Sequence, residues 1–232
     1  MERRQFVKAC ALATVASSLP ALAQGNAQPR FYERARLTGP GGKALKSRDI
    51  PANTNLIFHY PFSGTPCFLL NLGQPVKVAA RLKTADARSY HWPGGVGAND
   101  AIVAYSAICA HKLTYPTRDI SFIIFRPEQT LTSRHARVIH CCSEHSQYDP
   151  ANGAKVLAGP APQPLAAILL EYDGKRDELW AVGTLGGEMF NEFFKKYAFR
   201  LALDFGGRAQ TPVAGHCPVT ALSEFCRQQV KC

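Results

Sequence analysis

Short apolar runs separated by turn residues follow one another through the middle of the chain. Gly, Pro and Asn bound these runs, a pattern typical of β-strands. In the first half the runs are NLIFHYPF, PCFLLNLG, VKVAARL and AIVAYSAICAH. In the second half the sequence predicts two hairpins, one from SFIIF and ARVIHC and one from AAILLEYD and ELWAVGTL. Residues 53–185 are therefore expected to form an all-β domain of antiparallel strands.

The two ends of the chain differ from this β-rich body. Residues 24–52 are polar and Gly-rich, and we expect an extended N-terminal segment there. Residues 186–232 are expected to form a C-terminal helix and a tail. The helix is predicted because apolar residues recur with a helical period, at Phe190, Phe193, Phe194, Tyr197 and Leu201. The tail contains Cys217, Cys226 and Cys232.

The first 23 residues have the features of an export signal. Arg3 and Arg4 form a twin-arginine pair, and a short apolar run leads to a small-x-small cleavage site at residues 21–23. The run is shorter than the roughly 20 apolar residues that a membrane span needs. We therefore expect export by the twin-arginine pathway and a periplasmic mature chain without a transmembrane helix. A retained anchor is the alternative. This pathway carries folded proteins, commonly with a cofactor already inserted.

The charge of the chain is basic but not concentrated. The formal net charge is +10, and it falls to +8 when the signal leaves with Arg3, Arg4, Lys8 and Glu2. The remaining Lys and Arg residues are scattered without a run of five. Such a distribution is typical of a solvated surface, so we expect no nucleic-acid partner.

Two motifs combine cysteine with histidine, Cys109-Ala110-His111 and Cys142-Ser143-Glu144-His145. Two thiolates and two imidazoles suit a tetrahedral zinc site. They also suit a Rieske 2Fe–2S cluster, in which two cysteines bind one iron and two histidines bind the other. The order C-x-H and then C-x-x-H favours the Rieske cluster, because zinc fingers usually place both cysteines first. The expected ligands are Cys109, His111, Cys142 and His145.

The residues around these motifs resemble the Rieske family. After His145 come Tyr148-Asp149, Gly153 and the proline-containing stretch at 159–164. In the family, the second motif leads to a Tyr/Phe-Asp pair and a proline loop that covers the cluster. PGGVG and DAIVAYSAICAH, within residues 93–111, are similar in particular to the small subunit of arsenite oxidase. The resemblance spans about 55–182. It implies a Rieske-type antiparallel β-sandwich or barrel with a small cluster-binding subdomain at about 101–170.

The resemblance also implies which residues tune such a cluster. Hydroxyl groups directed at the sulfurs raise the reduction potential. Ser146 and Tyr148 are the candidates, with Pro160 in the covering loop. The chain departs from the family here, because the family pattern H-x-S-x-Y-D is one residue longer than the stretch from His145 to Asp149.

Seven cysteines remain once the signal is removed, an odd number before and after two are assigned as ligands. Thr114 and Glu144 occupy the positions of the loop-to-loop disulfide of high-potential Rieske proteins, so that disulfide is absent. We expect two of the three tail cysteines to pair, with Cys67 or Cys141 as competing partners. Cys141 should point away from Cys142 in an extended segment, which favours a structural role. A shift of the ligand to Cys141 would break the C-x-x-H spacing.

The resemblance implies a one-electron transfer protein, the small subunit of an oxidoreductase such as an arsenite oxidase-like molybdoenzyme. The implied partners are a larger catalytic subunit, a cytochrome c, or both. An oxygenase is excluded because it needs an additional iron site with two histidines, and only His216 follows His145. A Rieske subunit of a quinol-oxidising cytochrome bc-type complex and a zinc-stabilised binding module remain as alternatives.

The apolar stripe of the predicted C-terminal helix lies beyond the family-like region. An added apolar face needs something to cover it. Stripes of this kind are more often part of a domain's own core. We nevertheless expect Phe193 and Phe194 to contact the partner.

Overall fold

A computed structural model describes residues 26–76 and 80–232. The expected signal at 1–23 lies outside the described residues. The fold is all-β, as the sequence predicts, with a large curved sheet and few helices. Within the described ranges, no helix is long and apolar enough to cross a membrane.

The described residues contain sixteen strands and three α-helices. The strands are β1 (Arg30–Thr38), β2 (Leu56–His59), β3 (Pro66–Asn71), β4 (Ala80–Lys83), β5 (Ser89–Trp92), β6 (Ile102–Ser106), β7 (Ile120–Ser121), β8 (Ile123–Arg126), β9 (Val138–Cys141), β10 (Ser146–Asp149), β11 (Lys155–Ala158), β12 (Ala167–Asp173), β13 (Glu178–Leu185), β14 (Gly215–Pro218), β15 (Thr220–Ala221) and β16 (Gln228–Gln229). The helices are α1 (Phe190–Lys196), α2 (Ala198–Phe205) and α3 (Leu222–Phe225).

The large sheet has eight strands in the order β14-β1-β13-β12-β6-β3-β2-β15. The β12–β13 hairpin is the one that the sequence predicts. Strand β1 lies between β13 and β14, and its pairing with β14 is parallel. The segment at 24–52, expected to be extended, therefore contributes an inner strand of the domain. Its alternate residues Ala35 and Leu37 are fully buried.

The small sheet has four strands in the order β11-β10-β9-β8. Strands β8 and β9 form the hairpin predicted from SFIIF and ARVIHC. Strands β9 and β10 form a second hairpin, with Cys141 opposite Ser146 and Ile139 opposite Tyr148. Phe125, Ile139 and Tyr148 of the small sheet share one hydrophobic core with Phe68 and Tyr105 of the large sheet. This core fixes the β9–β10 hairpin against the rest of the domain.

The C-terminal helical region is part of the domain's own core, and our expectation that it contacts a partner is wrong for its buried residues. Phe193 and Phe194 are 0% and 7% exposed. They are covered by Ile108, Leu113 and Tyr115, which belong to the loop that carries the first Cys-His motif. The ring centroids of Tyr115 and Phe193 lie 4.8 Å apart. The predicted single helix is divided into α1 and α2 at Tyr197.

The tail runs beside the segment between the two motifs. Strand β16 pairs in parallel with β7, and the chain ends in a disulfide between Cys142 and Cys232. The expected pairing of two tail cysteines with each other is therefore not found. Cys217 and Cys226 are free and buried, and their thiols donate to the carbonyl oxygens of His59 and Gln228.

Candidate functional site

Two loops meet at one end of the small sheet, and each carries one of the predicted motifs. The first loop follows β6 and turns back at Cys109, whose amide donates to the Thr114 carbonyl over 2.8 Å. The Leu113 amide closes the same turn by donating to the Cys109 carbonyl over 2.9 Å. The second loop is the tip of the β9–β10 hairpin, residues 142–145. A salt bridge of 2.8 Å from Lys112 to Glu144 joins the two loops.

Tyr148 connects the hairpin to the first loop through its hydroxyl group. The oxygen lies 3.2 Å from the Cys109 sulfur and accepts a hydrogen bond from the Ala110 amide over 3.1 Å. Because the amide occupies an acceptor position of the oxygen, the hydroxyl proton is free to point at the sulfur. Burial, followed by the charge of Cys109, raises the pKa of Tyr148 far above its usual range. Tyr148 therefore remains protonated and acts as the donor to Cys109.

Cys141 is the cysteine of the second loop that faces Cys109. Adjacent residues of a strand point to opposite faces, and directly opposed residues of a hairpin share a face. Cys141 therefore lies on the same face as Ser146 and Tyr148. Cys109 and Cys141 are hydrogen bonded, which is the main cause of the lowered pKa of Cys109, about 6, and of the raised pKa of Cys141.

The two sulfurs have equivalent backbone surroundings. The Cys109 sulfur accepts hydrogen bonds from the backbone of His111 and Lys112, two and three residues further on. The Cys141 sulfur accepts hydrogen bonds in the same way from Ser143 and Glu144. Such bonds favour the thiolate over the thiol, although at Cys141 the neighbouring Cys109 and burial outweigh them and raise the pKa. The two loops thus present a pair of buried sulfurs, each surrounded by backbone donors, and Cys109 is the one whose thiolate is favoured.

Two polar side-chain atoms, in residues that neighbour these cysteines along the chain or across the hairpin, are buried without a hydrogen-bond partner among the described residues. They are the Nδ1 nitrogen of His111 and the hydroxyl oxygen of Ser146. A buried polar group left unsatisfied costs about 1–3 kcal/mol. An iron ion would satisfy the imidazole nitrogen, and an inorganic sulfide would accept a hydrogen bond from the hydroxyl. The residues present therefore fit a 2Fe–2S cluster.

Cys142 and His145, which the sequence predicts as ligands, lie on the opposite face of the hairpin. The Cys142 sulfur is bonded to Cys232, and a sulfur in a disulfide has no thiolate to offer a metal. His145 is exposed, and its ring centroid lies 5.8 Å from that of His140. His140 in turn lies 3.5 Å from the Cys232 sulfur. The structure thus brings Cys109 and His111 together with Cys141 rather than with Cys142.

The position of Cys141 beside Cys109 is not indicated by the C-x-x-H spacing. The register of the hairpin is the signal that could have revealed it. Tyr148 lies seven residues after Cys141, and both fall on one face once Ser146 is placed opposite Cys141. Alternation then directs Cys142 to the other face. Counting back from Tyr148 along the hairpin would therefore have selected Cys141.

The proline-containing loop contacts the backbone of the second loop. Gly159 has a φ of +84°, and a β-carbon added there would lie 2.5 Å from the His145 carbonyl oxygen. Only glycine allows this close approach without displacing the hairpin. Pro160, the next residue, is exposed at the edge of the loop.

Comparisons with known proteins found a similar sequence and a similar solved structure. No family model matches the chain. The iodate reductase subunit IdrB of Pseudomonas sp. (strain SCT) is 29% identical over 191 residues, which cover 80% of each chain. The crystal structure of the soluble domain of Rieske protein II from Sulfolobus acidocaldarius matches 68% of this chain and 82% of its own, with 23% identity and a TM-score of 0.46. The resemblance to Rieske proteins that the motifs indicate is confirmed.

Proposed function

We propose that this chain is a Rieske-type electron-transfer protein whose cluster is bound at the two loops. Cys109, Cys141 and His111 would be ligands, with the fourth supplied from the second loop. The observation that carries the proposal is a set of buried groups from the two loops, which we call the sulfur cage. It contains two sulfurs, a tyrosine hydroxyl donating to one of them, and an imidazole nitrogen without a partner.

A 2Fe–2S cluster bound there supplies one reversible electron transfer. The residues of the chain set the conditions for that transfer. Cys109, Cys141 and Tyr148 are fully buried, which keeps water from the sulfurs. In such surroundings a hydrogen bond is electrostatically stronger than in water. The Tyr148 hydroxyl and the backbone donors of both loops therefore stabilise negative charge on the sulfurs. His111 lies nearer the surface, where an electron can leave.

The protein is further proposed to act with a larger catalytic subunit of an oxidoreductase. Support comes from the relative that is itself a subunit of iodate reductase and is similar over most of its length. The resemblance to the arsenite oxidase small subunit has the same implication. The partner would be a molybdoenzyme of this kind that acts on an inorganic oxyanion, and a cytochrome c would be a second electron partner. The twin-arginine pattern supports export to the periplasm with the cluster already inserted.

The metal proposal is tested on protein produced in its native host and purified without oxygen. We expect two irons and two sulfides per chain and an electron paramagnetic resonance (EPR) signal after reduction. Cys109→Ser and Cys141→Ser should lose the iron, because each removes a thiolate ligand. Cys142→Ser is the matched control and should retain it. Stoichiometric zinc without iron would overturn the Rieske proposal.

The partner proposal needs a separate experiment. A tagged chain is recovered from the native host, and co-purifying proteins are identified by mass spectrometry. We expect a larger molybdenum-containing subunit. Addition of arsenite or iodate should change the oxidation state of the cluster in the complex but not in the isolated chain. Recovery of the chain alone, with no change on addition of either oxyanion, would contradict this proposal.

A further inference from the structure

The second loop offers a carboxylate rather than an imidazole at the position where a fourth ligand is needed. We infer that Glu144 is that ligand, so that the outer iron is bound by one histidine and one glutamate. This inference rests on the proposed function. It defines a centre that differs from the ligand set expected from the C-x-x-H motif.

The backbone of the two loops places Glu144 at the sulfur cage. Glu144 is the third residue after Cys141, and its backbone is hydrogen bonded to the Cys141 sulfur. Lys112 has the same relation to Cys109 in the first loop. The Glu144 side chain therefore starts beside the second sulfur, as that of Lys112 starts beside the first.

The Glu144 carboxylate is directed across to the first loop. Its Oε1 atom lies 2.8 Å from the Lys112 ammonium group. Its pKa is lowered by Lys112 and, to a smaller extent, by the nearby imidazoles of His111 and His145. Within the described part of the chain, Oε2 accepts no hydrogen bond, so one carboxylate oxygen is left for a metal. The partnerless His111 nitrogen belongs to the loop across from it.

His145 is directed away from the sulfur cage. It directly precedes Ser146, whose hydroxyl is on the Cys141 face of the hairpin, and its φ of +57° turns the chain at this point. Its ring lies beside His140, which belongs to the other face because it is adjacent to Cys141. The group of ligand atoms from His140, His145 and Cys232 lies within 4.8 Å on that second face.

Replacement of a neutral imidazole by a carboxylate changes the charge of the centre. The potential of an iron–sulfur cluster falls as its net charge becomes more negative. The midpoint potential would therefore be lower than that of a centre with two imidazole ligands. Lys112 offsets part of this effect because its ammonium group is bonded to the same carboxylate.

Pulsed EPR of the reduced wild-type protein tests the inference directly, because it resolves the nitrogens that are bound to iron. We expect one strongly coupled imidazole nitrogen, assigned to His111. Two such nitrogens in a protein that holds the cluster would overturn the assignment of Glu144 alone. A protein without an iron–sulfur cluster would overturn the proposed function and this inference together.

Two variants of adjacent residues provide the matched comparison. His145→Ala should retain the iron and the wild-type EPR spectrum, because its ring is on the other face. Glu144→His should keep the cluster, show a second coupled nitrogen and have a higher midpoint potential. Loss of the cluster in His145→Ala, measured in protein whose circular dichroism shows a native fold, would overturn the inference. An unchanged spectrum in Glu144→His would also do so.

Discussion

At the residue scale, the site depends on which of two adjacent cysteines faces the first loop. Cys141 and Cys142 differ by one position along β9 and therefore point to opposite faces. One face holds Cys109, Ser146 and Tyr148, and the other holds Cys232. The same alternation that gives a strand a core face and an outer face thus separates a sulfur in the cage from a structural disulfide.

Tyr148→Phe is predicted to lower the midpoint potential of the bound cluster, on the order of tens of millivolts. The variant removes the hydroxyl that lies 3.2 Å from the Cys109 sulfur while keeping the buried ring. The reduced centre, which carries one more negative charge, then lacks a hydrogen bond that stabilises it. A redox titration followed by EPR measures the shift.

Tyr105→Phe is the control for this prediction. Tyr105 is also fully buried, but its hydroxyl donates to the Pro150 carbonyl and not to a sulfur. Its midpoint should equal that of the wild type. Equal potentials in all three proteins would remove Tyr148 from the set of residues that tune the cluster.

At the element scale, helix α1 holds the first loop in place. Phe190, Phe193 and Phe194 pack against Ile108, Leu113 and Tyr115, three apolar residues around the first motif. The Lys196 ammonium group also donates to the Lys112 carbonyl over 2.6 Å. The helix is therefore a support for the loop that carries Cys109 and His111.

Phe193→Ala is predicted to destabilise the protein by about 3–5 kcal/mol, because it leaves a cavity where a fully buried aromatic ring was packed. The iron content should fall as well, since the first loop loses its support. Phe199→Ala on the neighbouring helix α2 is the control. Phe199 is 80% exposed, so its removal should change stability by less than about 0.5 kcal/mol.

Chemical denaturation, with iron measured on the same samples, tests both variants. Equal stability of Phe193→Ala and wild type would show that α1 does not support the loop.

The sequence predicts the local elements of this fold better than their partners. Strands β8, β9, β12 and β13 follow from short apolar runs with turn residues between them. The pairing of β1 with β14 joins residues that are far apart in the chain, and no local pattern signals it. The residues that pack against the apolar face of α1 are also far from it in the sequence. Of the expected ligands, the structure brings Cys109 and His111 to the sulfur cage, but the choice of Cys141 required the register of a hairpin.

At the scale of the whole molecule, the C-terminal tail connects β7, strand β8 and the second loop. Strand β16 pairs with β7, and the Val230 amide donates to the Ser121 carbonyl over 2.9 Å. Arg126 donates to the Val230 carbonyl over 2.9 Å. The disulfide to Cys142 then fixes the last residue of the chain to the base of the second loop. The tail thus restrains the loop from the face that lies opposite the sulfur cage.

The double variant Cys142→Ser/Cys232→Ser is predicted to retain the cluster and to lose stability. The disulfide joins residues 90 positions apart, and its removal gives the unfolded chain more freedom, which typically costs about 2–4 kcal/mol. Cys226→Ser, in a tail cysteine that forms no disulfide, is the control. Thermal unfolding with and without a reductant, followed by iron analysis, measures both effects. If the double variant lost its iron while Cys232→Ser, which removes the same disulfide but keeps the Cys142 sulfur, retained it, the sulfur of Cys142 would have to be a ligand, and the face on which the cluster binds would have to be reassigned.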